Sequence, residues 1–488
     1  MVPEPAMSHP ASEDTLRRFE SNATHNNYAY PMWRKCLVVF VTSWMALAAT
    51  FSSTSLFTAA DEIAQEFSTT AVEVNISSAG VLLAMGFSSF IWGPIGSTIG
   101  RRSSYNACII VLFLFTVGAA VAPNMPTFAA MRVLSGLQGT YFHVVGQVIL
   151  AECFPPTQRG TATGFFLAGT VLGPPLGPCV AGIIVMFQDW RVVLWLQAAM
   201  VALGAVLSML FLPSSRTKDD TSKRAASVRE TVGHFSPIHV FKLMAYPNIL
   251  LTDLTCGLLS WSQYSLLSAP RHLISTRFHL TSPLLSGLFY IAPAGGFLLG
   301  TIIGGRYSDL TVRKWITKRG GVRLPQDRLN SGMIAFFLLI PAASLVYGWG
   351  LECTSCSVGG LALPIVTGFF IAAGLLAAFA SLNTYSAEVL PRKRTEVITG
   401  KYCIQYTFGA CASAASVPLI DAIGIGPASM IGVVFVLAGG ALTLLTAKHG
   451  MAMQDWMDER SKRQAGSQRP RFHKTWPKAL FKTQGRAS

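Results

Sequence analysis

Twelve runs of about nineteen or more mostly apolar residues set the strongest limit on how this chain folds. They lie near residues 37–57, 76–96, 105–122, 127–151, 161–187 and 192–212, then near 248–270, 284–304, 331–350, 360–383, 399–420 and 427–447. A helix rises about 1.5 Å per residue, so about twenty apolar residues cross the hydrocarbon of a bilayer. Composition agrees with that reading. Only 12% of the residues are charged and 51% are hydrophobic, where a soluble chain carries about a quarter charged. The expected fold is an all-α membrane protein of twelve helices in two halves of six. The halves are 36–212 and 248–447, with tails at 1–35 and 448–488. The segment 213–247 is rich in Ser, Thr, Lys and Arg and reads as a solvated linker ending in a short interfacial helix.

Lys and Arg in short connections favour the cytoplasmic side. With the N-terminus inside, the inner segments hold Arg34, Lys35, Arg101, Arg102 and Arg159, the linker cations, a dense group from Arg306 to Arg328, and Arg392 to Arg394. The outer connections hold mainly Arg191, Arg271 and Arg277, and the first has Asp61, Glu62, Glu66 and Glu73 with no cation. Both termini are therefore expected inside. The net charge of +15 is spread over every second loop, whereas a nucleic-acid site concentrates it on one domain; no nucleic-acid partner is expected. The basic tail after Lys448 is expected against anionic lipid headgroups or free in solvent. Residues 1–34 are polar and lack the apolar core of a signal peptide. The nine cysteines form no framework, and the Cys353–Cys356 pair lacks further metal ligands nearby. No metal or cofactor is expected. Phosphate-binding loops, His-Glu-x-x-His and nucleophile elbows are absent from the sequence, so neither is an enzyme.

Two stretches read as copies of one motif. "GPIGSTIGRR" (Gly93 to Arg102, with Gly100 and Arg101) follows the second span, and "GGRYSDLTVRK" (Gly304 to Lys314, with Asp309 and Arg313) follows the eighth. Glycines there permit a tight turn and close helix approach, and the cations hold the turn at the cytoplasmic face. Matching motifs at matching places are the mark of an internal repeat. A third stretch, "GTVLGPPLGPCVAG", puts Gly169, Gly173 and Gly177 on one helix face beside Pro174. In water such a helix is poor, but in lipid helices associate by close fit between small residues. It is expected to be a kinked seam against which one half rocks.

These motifs resemble the major facilitator superfamily over nearly the whole chain. "RVLSGLQG" (Arg132 to Gly139) is similar to the family's fourth-helix motif, and "GTVLGPPLGP" to the fifth-helix motif of its drug:proton antiporters. The family's loop Asp is replaced by Ser97 in the first copy and kept as Asp309 in the second. "SWMALAATFSSTSL", "NISSAGVLLAMGFSSFIWGP", "CGLLSWSQYSLL" and "GKYCIQY" resemble the fungal itaconate and citrate exporters. The resemblance implies a multi-pass plasma-membrane transporter, monomeric, that exports a small di- or tricarboxylate by alternating access, itaconate before citrate. The alternative is a proton-coupled exporter of hydrophobic drugs or secondary metabolites. A sensor or scaffold that binds without transporting is the reading from another class. Uniport, proton symport and proton antiport stay open, since each negative charge leaving gains about 2.3 kcal/mol per 100 mV.

Ionisable and polar residues deep in lipid are costly and mark cavities and pathways. Arg132 and Arg271 are the expected carboxylate partners, because a guanidinium fork matches a carboxylate in two bonds. Arg132 has a structural or gating role as its rival, and Arg271 an interfacial one. His143 binds substrate, relays a proton or packs. Gln147, Gln263, Tyr264, Gln405 and Tyr406 are candidate hydrogen-bonding partners. Asp253 is a candidate for proton coupling, and Lys401 and Tyr402 open the eleventh span. Two arginines facing the cavity favour an acid; aromatic and methionine lining favours drugs.

Overall fold

The computed structural model describes residues 30–154, 156–212, 237–278, 282–321, 324–353, 358–390 and 393–467. Residues 1–29 of the expected N-terminal tail, most of the linker, Cys356 and the last part of the basic tail lie outside them, and the end of the expected N-terminal tail is already helix from Met32. The described residues are almost all helical, with no strand among them. The first half holds α1 (Met32–Thr54, extended by a 3-10 turn Ser55–Thr58), α2 (Ala60–Glu66), α3 (Ala71–Ile99), α4 (Arg101–Ala120), α5 (Met125–Gly136), α6 (Gly139–Cys153), α7 (Pro156–Phe187) and α8 (Arg191–Phe211). The second holds α9 (Pro237–Met244), α10 (Pro247–Ser268), α11 (Pro270–Phe278), α12 (Pro283–Phe289), α13 (Ile291–Lys318), α14 (Ile340–Cys353), α15 (Ala362–Glu388), α16 (Arg394–Ile423) and α17 (Ile425–Ser467). Ahead of α14 lie a 3-10 helix at Pro325–Gly332 and a π turn at Ala335–Leu339. Pro341 has no N–H for the Phe337 carbonyl, and the wider π turn accommodates that loss.

Ten segments among the described residues are long and apolar enough to cross a membrane. Two stretches expected as spans are not among them. The run at 127–151 is two helices, α5 and α6, broken at Leu137 and Gln138. The run at 248–270 is α10, whose apolarity is diluted by Thr252, Asp253, Thr255, Ser260, Ser262 and Gln263. At the other end of the chain, α17 runs on to Ser467, so the first part of the expected tail is helix.

Each half has its own apolar core. The Gly169/Gly173/Gly177 stripe faces α1 inside the first half, while the end of the same stretch faces the second half. A Cβ at Gly173 would fall 2.9 Å from the Leu47 carbonyl oxygen, and one at Gly177 would fall 3.0 Å from that of Phe51. The stripe therefore lets α7 lie directly on α1. The prolines are accommodated there too. Pro178 has no N–H for the Pro174 carbonyl, and the Thr54 hydroxyl of α1 donates to that oxygen at 2.8 Å. The Thr58 hydroxyl donates to the Pro178 carbonyl at 3.0 Å. It is Gly182, beyond the stripe, that meets the other half: a Cβ there would stand 2.7 Å from Gly287 Cα in α12. The second half repeats the device, with Gly296, Gly300 and Gly304 of α13 against Phe369, Ala373 and Ala377 of α15.

Candidate functional site

Between the halves, α3 and α6 meet α10 and α16 in a cluster of Leu82, Met85, Val144, Tyr264, Ile398, Tyr402 and Tyr406. The tyrosines form a chain. Ring centroids are 6.4 Å apart for Tyr264–Tyr406 and 6.0 Å for Tyr402–Tyr406, and the His143 ring lies 5.5 Å from Tyr402. His143, Tyr264 and Tyr406, chosen from sequence, are thus brought together. Gln263 is buried one residue before Tyr264, and Gln147 is half-buried one turn after His143. Gln405 is half-buried one turn beyond Lys401, its Oε1 enclosed without a partner.

Three ionisable groups lie in or beside this cluster. Lys401 is buried, with Nζ donating to Asn383 Oδ1 at 2.6 Å and lying 3.8 Å over the Tyr402 ring. Asp253 is buried on α10, and neither carboxylate oxygen has a hydrogen-bond partner. His143 is buried, with the Ala46 backbone beside its ring and no hydrogen bond of good geometry at either nitrogen. Sequence reading noted Lys401 and Asp253 as intramembrane charges. Asp253 is the candidate the sequence offers for proton coupling, while Lys401 has no assigned role there, because their burial in one region depends on two helices far apart in the chain.

Neither expected carboxylate partner is free on that surface. Arg132 is buried in α5 and donates to the Ser52 carbonyl at 2.8 Å and toward Ser78 Oγ at 3.5 Å, joining α1, α3 and α5 within the first half. Arg271 is at the opposite end of the bundle from the start of α1. Its Nε donates to Asp61 Oδ2 at 2.9 Å and its Nη2 to Glu62 Oε1 at 2.8 Å, with Nη1 on the Thr58 carbonyl. These bonds tie α11 of the second half to the α1–α2 corner of the first. Together with the Gly182–Gly287 approach they close that end. The acidic first loop was legible in sequence, but its pairing with Arg271, some two hundred residues on, was not.

Glu66 lies beside this closure. It accepts from Trp190 Nε1 at 2.6 Å and from Arg191, whose guanidinium sits 4.5 Å over the Trp190 ring. Partial burial works to raise the Glu66 pKa, but the bonds from Arg191 and Trp190 outweigh it and hold the carboxyl below its ordinary value.

The two motif copies differ at the opposite end. Gly100, at φ +87°, makes the tight turn between α3 and α4. Arg101 opens α4, and Arg102 donates to the Met209 carbonyl. Gly93 lies inside α3. In the second copy α13 runs through Gly304 and Gly305 without a break, and the chain turns only at Gly320 and Gly321 (φ +67° and +103°). The expected turn is therefore absent there. Asp309 instead accepts from Arg328 Nη1 at 3.0 Å, and Arg328 Nε donates to Glu388 at 3.0 Å. This network binds α13 to α15 inside the second half. Arg313 is exposed.

The arrangement packs tyrosines and buried ionisable side chains of both halves against one another, and joins the halves at one end through Arg271 and the Gly182–Gly287 approach. The model of the Major Facilitator Superfamily matches residues 42–414. The MFS antiporter QDR3 of Candida albicans is 23% identical, over 88% of this chain and 80% of its own. The ascochitine biosynthesis cluster MFS transporter of Didymella fabae is 25% identical, over 86% of this chain and 84% of its own. Among solved structures, the xylose transporter XylE from E. coli, in a partially occluded inward-open conformation, superposes with a TM-score of 0.60. It shares 14% identity over 85% of this chain and 96% of its own, a likeness of fold alone. The chain belongs to the Major Facilitator Superfamily: it is a multi-pass membrane protein and a secondary transporter, not an enzyme.

Proposed function

We propose that the chain is a proton-coupled exporter of small, largely apolar organic compounds of the drug and secondary-metabolite class. The observation that carries this is the set of side chains packed between the halves, Met85, Tyr264, Tyr402 and Tyr406, with both candidate arginines engaged elsewhere. Aromatic faces suit apolar ligands, and their hydroxyls orient polar groups on them. The names of the relatives, an antiporter and a biosynthesis-cluster transporter, support the same class. In this reading α5 with α6, and α10, complete twelve crossings. Both termini are cytoplasmic, the chain acts as a monomer in the plasma membrane, and the Arg271 contacts are the outer gate.

A second reading keeps export of an organic acid, itaconate before citrate. It is favoured by one observation, the buried Lys401 ammonium beside His143. Cells lacking the gene, with and without the restored chain, decide between the two. Growth on a panel of toxic hydrophobic compounds and the itaconate and citrate in the medium are measured together. The primary reading expects restored resistance with both acids unchanged. Unchanged resistance with restored secretion of one acid overturns it in favour of the second.

A further inference from the structure

We infer that the second half carries a binding site of its own, for an uncharged, mostly apolar molecule bearing an acceptor oxygen. The site is a cleft inside that half, between α10, α14, α16 and α17.

The cleft measures about 640 Å³, its open mouth included, within the range of pockets that take drug-sized molecules. It interrupts the apolar core of the second half: Leu266, Leu273, Tyr347 and Ile371 belong to that core and line the cleft. Close contacts pin its edges. The Ser416 hydroxyl of α16 bonds Ser265 Oγ of α10 at 2.9 Å. Gly348 of α14 lies directly on Ser429 of α17. The Ser262 hydroxyl of α10 points to the Gly432 carbonyl of α17 at 3.4 Å. The Trp261 ring forms one wall and is braced edge-on by Phe435, with ring centroids 5.3 Å apart.

Two features say what fits. The first is a hydroxyl without a partner. Tyr347 is 9% exposed, lines the cleft and makes no hydrogen bond to the described residues. Other tyrosines of this half are spent on protein: Tyr290 donates to the Leu267 carbonyl at 2.6 Å, and Tyr385 Oη accepts from Asn248 at 3.1 Å. A buried phenol normally finds a partner, because leaving its donor unmet costs free energy. An acceptor oxygen in the cleft meets that need. The second feature is charge. No Asp, Glu, Lys, Arg or His is among the described residues that line the cleft. Ionisable neighbours are tied to protein. Glu352 accepts from the Ile425 and Gly426 amides at 3.0 and 3.1 Å, and His272 Nε2 lies 2.7 Å from Asp421 Oδ1. A buried charge without a partner is costly, so an ionised ligand is disfavoured. The cleft differs in this from the region between the halves, where Lys401, Asp253 and His143 are buried.

Every lining residue belongs to the second half. Rigid-body motion of one half against the other therefore leaves the cleft as it is. Its occupant stays with that half and is not carried across the bilayer. Trp261 also packs against the tyrosine cluster between the halves, so the occupant touches a side chain of that cluster without lying in it.

The test uses the full-length chain in lipid nanodiscs and benzophenone, an uncharged ketone that crosslinks on irradiation. Benzoylbenzoate, the same ring system with a carboxylate, is the charged control. Adducts are mapped and counted by peptide mass spectrometry over a range of concentrations. The expected result is saturable benzophenone labelling on α10, α14, α16 and α17 around the cleft, with the carboxylate weaker by about tenfold or more. Tyr347→Phe should weaken the saturable labelling by about 3- to 10-fold. It should leave the melting temperature of the unlabelled protein unchanged, because the hydroxyl it removes bonds no described residue. Ala428→Phe fills the cleft and should remove saturable labelling; if that variant does not fold, Tyr347→Phe decides alone. Asp61→Asn with Glu62→Gln, in the first half, should leave labelling as it was. Labelling that rises without saturation, as partition into lipid alone would give, overturns the inference. So does equal labelling by the carboxylate, unchanged labelling in Tyr347→Phe, or a several-fold change in the Asp61→Asn/Glu62→Gln protein.

Discussion

Replacing Arg271 by Met should shift the chain toward the state open at the far end. The guanidinium spends all three nitrogens across the two halves, on Asp61, Glu62 and the Thr58 carbonyl. A hydrogen bond to a charged group is worth about 1.5–3 kcal/mol when water is excluded. Here the carboxylates are 49% and 29% exposed, although the Arg271 side chain is only 10% exposed. Water takes over much of the lost bonding, and exposed ion pairs give about 0.2–1 kcal/mol. A net loss of about 1–2 kcal/mol follows for the whole cluster, or roughly a 5- to 30-fold change in the ratio of open to closed forms. Spin labels at exposed Gln65 in the first half and exposed Ala422 in the second report that ratio as a pair of distances, with Cys36, Cys353, Cys356 and Cys411 replaced by serine. The unaltered chain should give mainly the short distance, and Arg271→Met a larger long-distance population. Asp61→Asn with Glu62→Gln should reproduce much of the shift and add little to Arg271→Met, since both changes remove the same contacts. A folded Arg271→Met protein with an unaltered distance distribution would refute the gate.

Three further outcomes follow from local geometry. Thr54→Val leaves the Pro174 carbonyl without its partner and should cost about 1 kcal/mol, read as a lower melting temperature in detergent, while Thr54→Ser is neutral; equal losses in both would assign the effect to packing. Gly173→Ala puts a Cβ against Thr50 and the Leu47 carbonyl and should lower stability and export, whereas Gly164→Ala, with nothing within 4 Å, should change neither. Glu66 has a depressed pKa in the folded chain, so its contribution is present above the ordinary carboxyl pKa of about 4.3 and is lost as pH falls through the folded value. Melting curves should therefore decline toward pH 3 less steeply in Glu66→Gln, and identical slopes would remove that assignment.

The bundle was legible because a bilayer imposes one demand on every crossing, an apolar run of sufficient length. The run is weaker at α10, where the polar residues that dilute it include Asp253. At 127–151 a continuous apolar run does not reveal the break at Leu137 and Gln138. The motif copies taught a similar lesson. Glycine spacing revealed which faces pack closely, but not against what: Gly173 meets α1, and Gly182 meets α12. "GGRYSD" matches "GPIGST" in position, yet one is continuous helix and the other leads into a turn, because Gly100 takes a positive φ and Gly305 does not. For the site, residue type was informative and partnership was not. Arg271 and Lys401 are both cations near helix ends in sequence. Only the packing of distant helices commits the first to Asp61 and Glu62 and leaves the second buried with donors to spend.

Transport by the purified chain in sealed liposomes tests the central claim most directly. The compound is the one whose resistance or secretion the chain restores in cells, and its movement is followed with and without an imposed pH gradient. The account predicts accumulation that depends on the gradient and falls sharply in Tyr406→Ala. Binding of the compound without movement across the bilayer, in liposomes where the chain is folded and correctly inserted, would contradict it and identify a membrane sensor instead.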